Sequence, residues 1–388
     1  MIDSINTTAI VTASLQRRHK KERRFKLLGR TAVSFGFLLV FILIADISYK
    51  AMPAFHQHWV AVDISYQEDW LSIKDNNPTQ LKTANFRKVL KNSLYTMFPT
   101  VKGRKNKRKL TQMISSNAEF TLRDHLLLSP TLLGKDETFW LRLDDDVDIY
   151  LKSAKVIGSP EFRINQQQAS WIKLLFDGGR IEKRFNIDFF TNGDSREPEL
   201  AGIKGALVGT IITMLVTLSL SFPLGVAAAL YLEEFAPKNR WTDIIEVNIN
   251  NLAAVPSIIF GLLGLAVIIN IFGLPRSAPL VGGIVLTLMT LPTIIIASRA
   301  SIKAVPPSIR EAALGIGASN VQTAFGHVLP MAMPGILTGT IIGLAQALGE
   351  TAPLLMIGMV AFIVDVPTSI TDSATVMPVQ IFLWADSP

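Results

Sequence analysis

The stretch GALVGTIITMLVTLSLSFPLGVAAALYL, Gly205–Leu232, contains no charged residue. A helix needs roughly 20 apolar residues to cross about 30 Å of hydrocarbon, so this stretch is long enough to span a membrane. It contains Pro223, which would damage a helix in water but is common in membrane helices, where neighbouring helices satisfy the freed carbonyl groups. The stretch therefore predicts a transmembrane helix.

The part of the chain that surrounds this stretch differs in charge density from the part before it. Positions 201–364 hold 13 charged residues, whereas positions 51–200 hold 41. The first density is typical of a chain in lipid and the second of a water-soluble domain, so a single soluble globule and a long disordered protein are both excluded. The chain has 388 residues, a formal net charge of +7 and no cysteine, which excludes disulfides, thiolate metal sites and a cysteine nucleophile.

Further apolar stretches predict five spans in total, with Pro256, Pro292 and Pro353 inside them. Basic residues precede the first span, as in a signal peptide, but the apolar run is long and no clear small-x-small cleavage site follows, so an uncleaved anchor is predicted. The last stretch is too long for one straight span and carries the lone Glu350. Besides Gly205–Leu232, the predicted spans are about Thr31–Tyr49, Val247–Phe272, Ala278–Ser298 and Met331–Val364.

Basic residues in the short loops predict the orientation, because flanking Lys and Arg resist translocation. The first 30 residues contain eight of them, and the segments 233–246 and 299–330 carry more, whereas the tail after Val364 has none. This pattern predicts a cytoplasmic N-terminus and an extracytoplasmic domain between the first two spans. The predicted order is a basic cytoplasmic N-terminus (1–30), an anchor (31–50), an extracytoplasmic inserted domain (51–200), a core of four further spans (201–364) with a cytoplasmic loop at about 299–330, and an extracytoplasmic tail (365–388).

Residues 51–200 have the pattern of a mixed α and β domain. Phe139–Leu151 is strand-like before an acidic turn, Gln166–Leu175 is helical in pattern, and Asp177–Gly179 predicts a turn before another short strand. The run KGRKNKRK, Lys102–Lys109, has six basic residues; charge runs usually form solvated loops, and attraction of an anionic solute is the alternative. No metal site is predicted, since the aspartates at 144, 145, 146 and 148 lack the spacing and glycine of an EF-hand loop.

The segment SIREAALGIGASNVQ, Ser308–Gln322, carries the clearest local signals of the chain. Ser308 with Glu311 has the spacing of a capping box, and Ser319 with Gln322 repeats it. Prolines at 306 and 307 block a helix before the first box. The spacing predicts a compact helix–turn–helix between the fourth and fifth spans.

Two glycines and two alanines complete this predicted loop. Gly315 and Gly317 can adopt the positive φ values that end a helix. Ala312 and Ala313 form a small face that would let the backbone of a partner approach closely. An ordinary connector is the alternative, because capping boxes alone are weak evidence.

The order E-A-A-x3-G, followed by a Leu-Pro pair, resembles the EAA coupling loop of binding-protein-dependent ABC importer permeases. Four more segments resemble the phosphate branch of that family, called PstA: Ala228–Glu246, Asn251–Leu265, Gly273–Gly283 and Ala347–Phe362. The resemblance implies that the loop seats in a cleft of a separate ATPase. The residues to which it gives this role are Glu311, Ala312, Ala313, Gly317, Ala318, Leu329 and Pro330.

The resemblance implies an α-helical polytopic membrane protein, a type I importer permease bundle with an inserted α+β extracytoplasmic domain. Such a chain has no catalytic residue, cofactor or nucleic-acid partner of its own. Its implied partners are a PstB-type ATPase dimer, a PstC-type second permease, a periplasmic phosphate-binding protein, inorganic phosphate and the lipid bilayer. Independently of the resemblance, the sequence lacks a G-x4-G-K-[ST] phosphate loop, so ATP hydrolysis must belong to another chain.

Several polar residues in or near the spans are candidates for the transport pathway. Glu350 is expected to act as a gate or as an inter-helix partner, because an ionisable group in an apolar stretch is costly. Arg299 would be either an exit-side anion contact or a cation that snorkels to the interface. The full set of candidates is Glu350, Gln346, Thr351, Arg299, Arg276, Asn250, Asn251 and Ser257.

Two other functions stay open at this point: a permease for another oxyanion, such as sulfate or molybdate, and a membrane-anchored sensor or scaffold without transport. Members of the family generally have one more span after the segment that resembles residues 365–388. The chain is therefore expected either to be truncated before that span or to lack it, with its tail outside the cytoplasm.

Overall fold

A computed structural model of the chain describes residues 7–73, 78–153, 163–359 and 362–385. The chain divides into two compact units, residues 1–186 and residues 187–388. The parts of the predicted N-terminal segment, last span and tail that fall on residues 1–6, 360–361 and 386–388 lie outside the described residues.

The first unit begins with one long helix and continues as a mixed α and β domain, called here the α+β domain (residues 56–185). A three-stranded sheet is present among its described residues, with β1 in the middle and antiparallel to both β2 and β3. The elements are α1 (Thr7–Ala51), β1 (His56–Ser65), α2 (Glu68–Leu71), α3 (Pro78–Thr83), α4 (Phe86–Met97), α5 (Arg104–Thr111), α6 (Ala118–Leu128), β2 (Asp136–Arg142), α7 (Asp145–Lys152), α8 (Gln166–Asp177) and β3 (Ile181–Phe185).

The core of the α+β domain lies where the helices cover the sheet. In β1 the side chains of Val60, Val62 and Ile64 are at most 1% exposed, and they pack in one cluster with Leu122 of α6 and Ile172 of α8. Alternate residues of a strand point to the same face, so these three residues form the face that the helices cover. The helix at Gln166 and the strand after Gly179 are confirmed.

Two predictions for this domain are wrong. Residues 104–111 of the basic run form α5 rather than a loop, because Leu110 is 1% exposed and anchors the segment in the core. The stretch Phe139–Leu151 is a strand only as far as Arg142, and its acidic end begins α7 instead of forming a turn. There the side chain of Asp144 caps the helix by accepting a hydrogen bond from the backbone N–H of Asp146.

A buried polar cluster joins α7 to the central strand. The Oδ1 atom of Asp148 lies 2.8 Å from Nδ1 of His58 and accepts a hydrogen bond from the His58 backbone N–H at 2.9 Å. The Nζ of Lys152 lies 2.5 Å from Oδ2 of the same carboxylate. Burial by itself would raise the pKa of Asp148, but the hydrogen bonds from His58 and Lys152 lower the pKa below the usual value of a carboxyl.

Replacing Asp148 with alanine is expected to lower the free energy of unfolding of the α+β domain by about 3 kcal/mol, because it removes the partner of the Lys152 ammonium, whose side chain is only 18% exposed. Since the pKa of Asp148 is lower when folded, its contribution is complete above the unfolded pKa of about 3.9 and is lost as the pH falls through the folded pKa. Hydrogen exchange of peptides from β1 and α7 in the full chain measures both the loss of unfolding free energy in the variant and its dependence on pH.

A matched control lies on β1, the strand that carries His58. Asp63 pairs with Arg180 at 2.9 Å, but its side chain is 50% exposed, so Asp63→Ala should change the exchange free energy by less than about 1 kcal/mol. Equal protection in the Asp148 and Asp63 variants would show that the buried cluster contributes little to stability.

The second unit is helical. Its elements are α9 (Asp188–Thr191), α10 (Lys204–Leu230), α11 (Arg240–Ala253), α12 (Ser257–Leu263), α13 (Pro279–Lys303), α14 (Pro307–Gly315), α15 (Asn320–Thr323), α16 (Leu329–Leu348), α17 (Ala352–Met356) and α18 (Met377–Ala385). Wider π-helical turns extend three of these helices, at Tyr231–Phe235, Gly264–Ile269 and Ala324–Val328.

Within the described residues, four helices are long and apolar enough to cross a membrane. They are Arg18–Phe55, Lys204–Phe235, Pro279–Lys303 and Asn320–Leu348, and they correspond to the first, second, fourth and fifth predicted spans. The third predicted span is wrong as a straight helix, because Arg240–Ala253 and Ser257–Ile269 meet at an angle of 102°. Together they form a broken span or a re-entrant loop.

Two of the prolines in the predicted spans mark the start of a helix, and two others lie inside helices. Pro223 and Pro292 lie inside α10 and α13 and are tolerated there. Pro256 instead stands at the N-terminal boundary of α12, and Pro353 lies in the first turn of α17, so at these two positions proline begins a new helix. The predicted fifth span is therefore divided, since α16 ends at Leu348.

The predicted tail is partly helical. Its α18 packs on α10, where the backbone N–H of Met377 donates to the hydroxyl of Thr210 at 2.8 Å, and Val379 is fully buried. The long helices approach closely through small residues: a Cβ atom on Gly283 of α13 would collide with Val216 of α10, and one on Gly339 of α16 would collide with Ala297 of α13. Such small-residue contacts are typical of helix packing in membranes.

Candidate functional site

The candidate site is the segment between α13 and α16, where α14 and α15 are joined by a tight turn. Gly317 has a φ of 92°, the left-handed conformation that ends α14, whereas Gly315 is the last residue of that helix. The second predicted capping box is confirmed: the backbone N–H of Gln322 donates to Ser319 Oγ at 3.3 Å, and that of Ser319 donates to Gln322 Oε1 at 2.9 Å.

The first predicted capping box, Ser308 with Glu311, is wrong. α14 begins at Pro307 and its N-cap residue is Pro306, which has no side-chain acceptor. Ser308 therefore lies one residue inside the helix, where its side chain cannot take the capping position. The Glu311 side chain is exposed on the surface of α14.

The two alanines of the loop differ in burial. Ala313 is 4% exposed and packs inward, where α14 contacts the π-helical turn Ala324–Val328, whereas Ala312 is exposed. The predicted small face open to a partner is therefore wrong for Ala313. Leu329 is partly buried and packs against a hydrophobic cluster formed mainly by α10, α13 and α16, whereas Pro330 is exposed at the start of α16.

The surface of the loop is apolar, which the sequence reasoning missed. Ile316, between the two glycines, is 83% exposed, and Leu314, Val321 and Phe325 are between 46% and 57% exposed. We call these four residues the loop surface. A shallow groove adjoins it, lined by Ile316, Gly317, Ala318, Gln322, Phe325, Gly326 and His327. The sequence could have identified Ile316, because it lies in the turn that ends the predicted helix. A side chain in such a turn has no buried helix face on which to pack.

Arg299 forms ion pairs that the sequence did not predict, and its two expected roles stay predictions. Its Nε lies 2.6 Å from Glu233 Oε1 and its Nη2 lies 2.8 Å from Glu246 Oε2. Lys303, one turn further along α13, lies 3.5 Å from the same Glu233 oxygen. Arg299 and Glu233 are 12% and 11% exposed, so a shielded ion pair joins α13 to the end of α10, and a second pair joins α13 to α11 through Glu246, which is 45% exposed.

A second arginine joins α14 to the same region. The Nη2 of Arg310 lies 2.7 Å from Glu234 Oε1, and its guanidinium also donates to the backbone carbonyls of Val305 and Ile302 at 2.7 and 3.0 Å. Glu233 and Glu234 both belong to the π-helical turn Tyr231–Phe235. We call these pairs, from Arg299 and Arg310 to Glu233, Glu234 and Glu246, the ion-pair network.

Glu350 lies in the break between α16 and α17, not within a helix. Its backbone N–H donates to the Ala347 carbonyl at 3.2 Å, and the next residue, Thr351, starts α17 by accepting the Leu354 N–H at 3.1 Å. Gln346 is exposed in the last turn of α16. Gln346 and Glu350 therefore do not lie on one continuous helix.

The polar residues of the third predicted span lie at its bend. Asn250 and Asn251 are in the last turn of α11, and Ser257 is the first residue of α12. α12 packs on α17, and a Cβ atom on Gly261 would lie 2.6 Å from Cα of Pro353. The structure thus brings the helix that carries Ser257 against the helix that follows Glu350 and Thr351.

Arg276 is exposed on the turn between the π-helical turn and α13. The neighbouring Ser277 hydroxyl donates to the carbonyl of Gly358, at the end of α17. Arg276 therefore lies near the far end of α17 rather than beside the ion-pair network.

The acidic run gives a possible metal cluster, but no second observation supports it. Among the described residues, oxygen atoms of Asp144, Asp145 and Asp146 lie within 4.8 Å of one another. Burial and the neighbouring Asp145 raise the pKa of Asp146. Asp148 is engaged with His58 and Lys152 and does not belong to the group.

Comparison with known proteins gives two family matches and several relatives. Residues 12–161 match a family described as "Domain of unknown function (DUF3333)", and residues 221–383 match "Binding-protein-dependent transport system inner membrane component". A probable ABC transporter permease protein, YqgI of Bacillus subtilis, is 32% identical over 44% of this chain and 58% of its own length.

Two relatives carry the name of a phosphate transport system permease protein. PstA 1 of Mycobacterium tuberculosis is 35% identical over 40% of this chain and 51% of its own length. PstA of Haemophilus influenzae is 29% identical over 52% of this chain and 71% of its own length. The chain spans 58% and 51% of the Bacillus and Mycobacterium relatives, and 71% of the Haemophilus one.

The second family match covers the C-terminal part of α10, all of α11 to α17 and most of α18, and so contains the loop, the ion-pair network and all the pathway candidates. The apolar helices agree with a multi-pass protein of the inner membrane. The resemblance seen in the sequence is confirmed: residues 221–383 match the binding-protein-dependent transport system inner membrane component family, and relatives named PstA are similar over part of the chain.

Proposed function

We propose that this chain is the transmembrane permease subunit of an ATP-driven importer of inorganic phosphate. The observation that carries the proposal is the loop surface, where Ile316 is 83% exposed between two helices long enough to span a membrane. Several large apolar residues exposed together on a short connector are typical of a surface that a partner protein covers. The relatives named as phosphate permeases support phosphate as the substrate.

The proposed partners follow from the family. A PstB-type ATPase dimer takes the loop into a cleft, with Glu311, Gly317 and Ala318 at the contact. A PstC-type permease completes the bundle, and a periplasmic binding protein delivers phosphate. The eight basic residues in the first 30 positions favour a cytoplasmic N-terminus, which puts the loop on the ATPase side and residues 51–200 on the other side.

The ion-pair network gives this loop a mechanical connection to the spans. Arg310 holds α14 to the end of α10 through Glu234, and Arg299 holds α13 to α10 and α11 through Glu233 and Glu246. Guanidinium groups with two or more partners keep a fixed geometry, so a displacement of the loop moves these helix ends together. Such rigid-body motion of one bundle against another is how alternating access generally works.

The bend continues this connection toward the pathway. α11 carries Glu246 near its middle and ends at the 102° bend, after which α12 packs against α17 through Gly261 and Pro353. Movement of α11 would therefore reach the break that holds Glu350. In this proposal Glu350 is a gate, because a carboxylate in the pathway repels a phosphate dianion, while neutral donors such as Ser257 help to bind it.

The experiment is co-purification of the chain with the ATPase and second permease of the same importer, followed by ATP hydrolysis in proteoliposomes. Binding protein loaded with phosphate should stimulate hydrolysis, and binding protein loaded with sulfate or molybdate should not. Equal stimulation by all three anions would refute phosphate specificity. Failure of the ATPase to co-purify would refute the permease assignment and favour an anchored sensor.

A further inference from the structure

The α+β domain contains a groove of about 900 Å³ between α4 and α5. In each helix the lining residues recur three or four positions apart, so they lie on one face of that helix. Two basic faces thus meet across the groove. Half of the basic residues in the run at 102–109 line it. The cations that line the groove are Arg87 and Lys91 from α4, and Arg104, Lys107 and Arg108 from α5.

The positive charge of the groove exceeds its negative charge. The acidic residues that line it are Glu119 and Asp144, and Asp144 already caps α7. Within the described part of the chain, no carboxylate forms an ion pair with any of the five cations. Like charges on facing helices repel each other, so the arrangement favours an anionic ligand.

The start of α5 adds to this preference. Its N-cap residue is Gly103, which has no side chain to accept the first backbone N–H groups, and its first turn contains no acidic residue. Gly103 and Arg104 both line the groove. A basic residue at the positive end of a helix is unfavourable, and an anion at that position relieves the repulsion and accepts the free N–H groups.

The dimensions favour a ligand with several anionic groups in a row. Arg87, Lys91 and Tyr95 follow one another at intervals of about one turn, a run of about 12 Å along α4. Lys107 of α5 reaches across, with its Nζ 4.4 Å from the centre of the Tyr95 ring. The volume is at the upper end of the range of about 300–1,000 Å³ for small-molecule sites, which is large for a single tetrahedral anion.

We propose that this groove binds a linear oligophosphate, either free or as the phosphate chain of a nucleotide. Guanidinium groups bind phosphate oxygens in pairs, and three of the five cations are arginines. This site is independent of the transport function proposed above, because every residue that lines it belongs to the α+β domain.

The test is calorimetric titration of the full chain in detergent micelles with tripolyphosphate, ATP, orthophosphate and an oligoglutamate of similar charge. Tripolyphosphate should bind tightest. Arg104→Gln/Lys107→Gln should weaken it by at least about tenfold, since charge-assisted hydrogen bonds are lost. A matched control is Lys102→Gln/Lys105→Gln, which removes the same charge from the same run at positions that do not line the groove.

The outcomes separate the possible readings. Retention of tripolyphosphate affinity in the control, with loss in the groove variant, supports the site, and ATP then shows whether a nucleoside is accepted. Equal weakening in both variants means general attraction to a basic surface and overturns the proposal. Equal affinity for orthophosphate or oligoglutamate, or no binding to the wild type, also overturns it. Arg87→Gln/Arg108→Gln serves as the second groove variant if the first unfolds.

Discussion

Replacing Ile316 with aspartate is expected to abolish transport while the protein still inserts in the membrane. The side chain is 83% exposed, so the change does not disturb the core of the chain. It places a charge at the centre of the loop surface, where contact with the ATPase would bury it without a partner. Loss of a central apolar contact typically costs at least about 2 kcal/mol of binding, about a 30-fold weaker association.

The measurement is co-purification with the ATPase, together with phosphate uptake in cells that lack the wild-type chain. A suitable control is Ile370→Asp, because Ile370 is 46% exposed and stands in a polar segment beside Ser369, Thr371 and Asp372. It should leave both measurements unchanged. If the Ile316 variant retained normal uptake and ATPase binding, the loop surface could not be the coupling contact.

Removal of the Arg299 side chain is expected to give the largest loss of stability in the helical unit. Among the described residues, the Arg299→Ala variant leaves Glu233, which is 11% exposed, with the weaker ion pair to Lys303 at 3.5 Å. Breaking a shielded ion pair by removing one partner costs about 3–5 kcal/mol, because the remaining charge stays desolvated. The melting temperature of the purified protein and its level in the membrane should both fall.

A double variant separates charge from packing. In Arg299→Met/Glu233→Met both charges are gone and the hydrophobic volume is partly kept, so stability should return to near the wild-type value. Transport should not return, since the fixed connection between α13 and α10 is lost. Arg276→Ala, at an exposed turn away from the network, is the control for loss of an arginine alone. An Arg299→Ala protein as stable as the wild type would contradict the conclusion that the ion pair between Arg299 and Glu233 stabilises the helical unit.

Local features of the chain could be read correctly because neighbouring residues decide them. The predicted span at Gly205–Leu232 agrees with α10 and its extension within a few residues, since apolar length alone determines such a helix. The capping box at Ser319 also forms, because both partners lie within one turn. Glycine at 317 adopts the positive φ that its position predicted.

Features that depend on distant residues could not be read in the same way. Pro256 and Pro292 look alike in sequence, yet one begins a helix at a 102° bend and the other lies inside α13. The difference arises from packing, since α12 must turn to bring Gly261 against Pro353. The basic run at 102–109 likewise became a helix because the core holds Leu110.

At the candidate site, the apolar spans, the helix–turn–helix and the glycine turn follow from the order of the residues, because hydrophobic length and capping act over a few residues. The inward position of Ala313, the outward position of Ile316 and the pairing of Arg299 depend on the folded chain. Arg299 meets partners 66 and 53 positions away. Pairing over such distances depends on which helix ends meet, and that is set by the packing of the whole bundle.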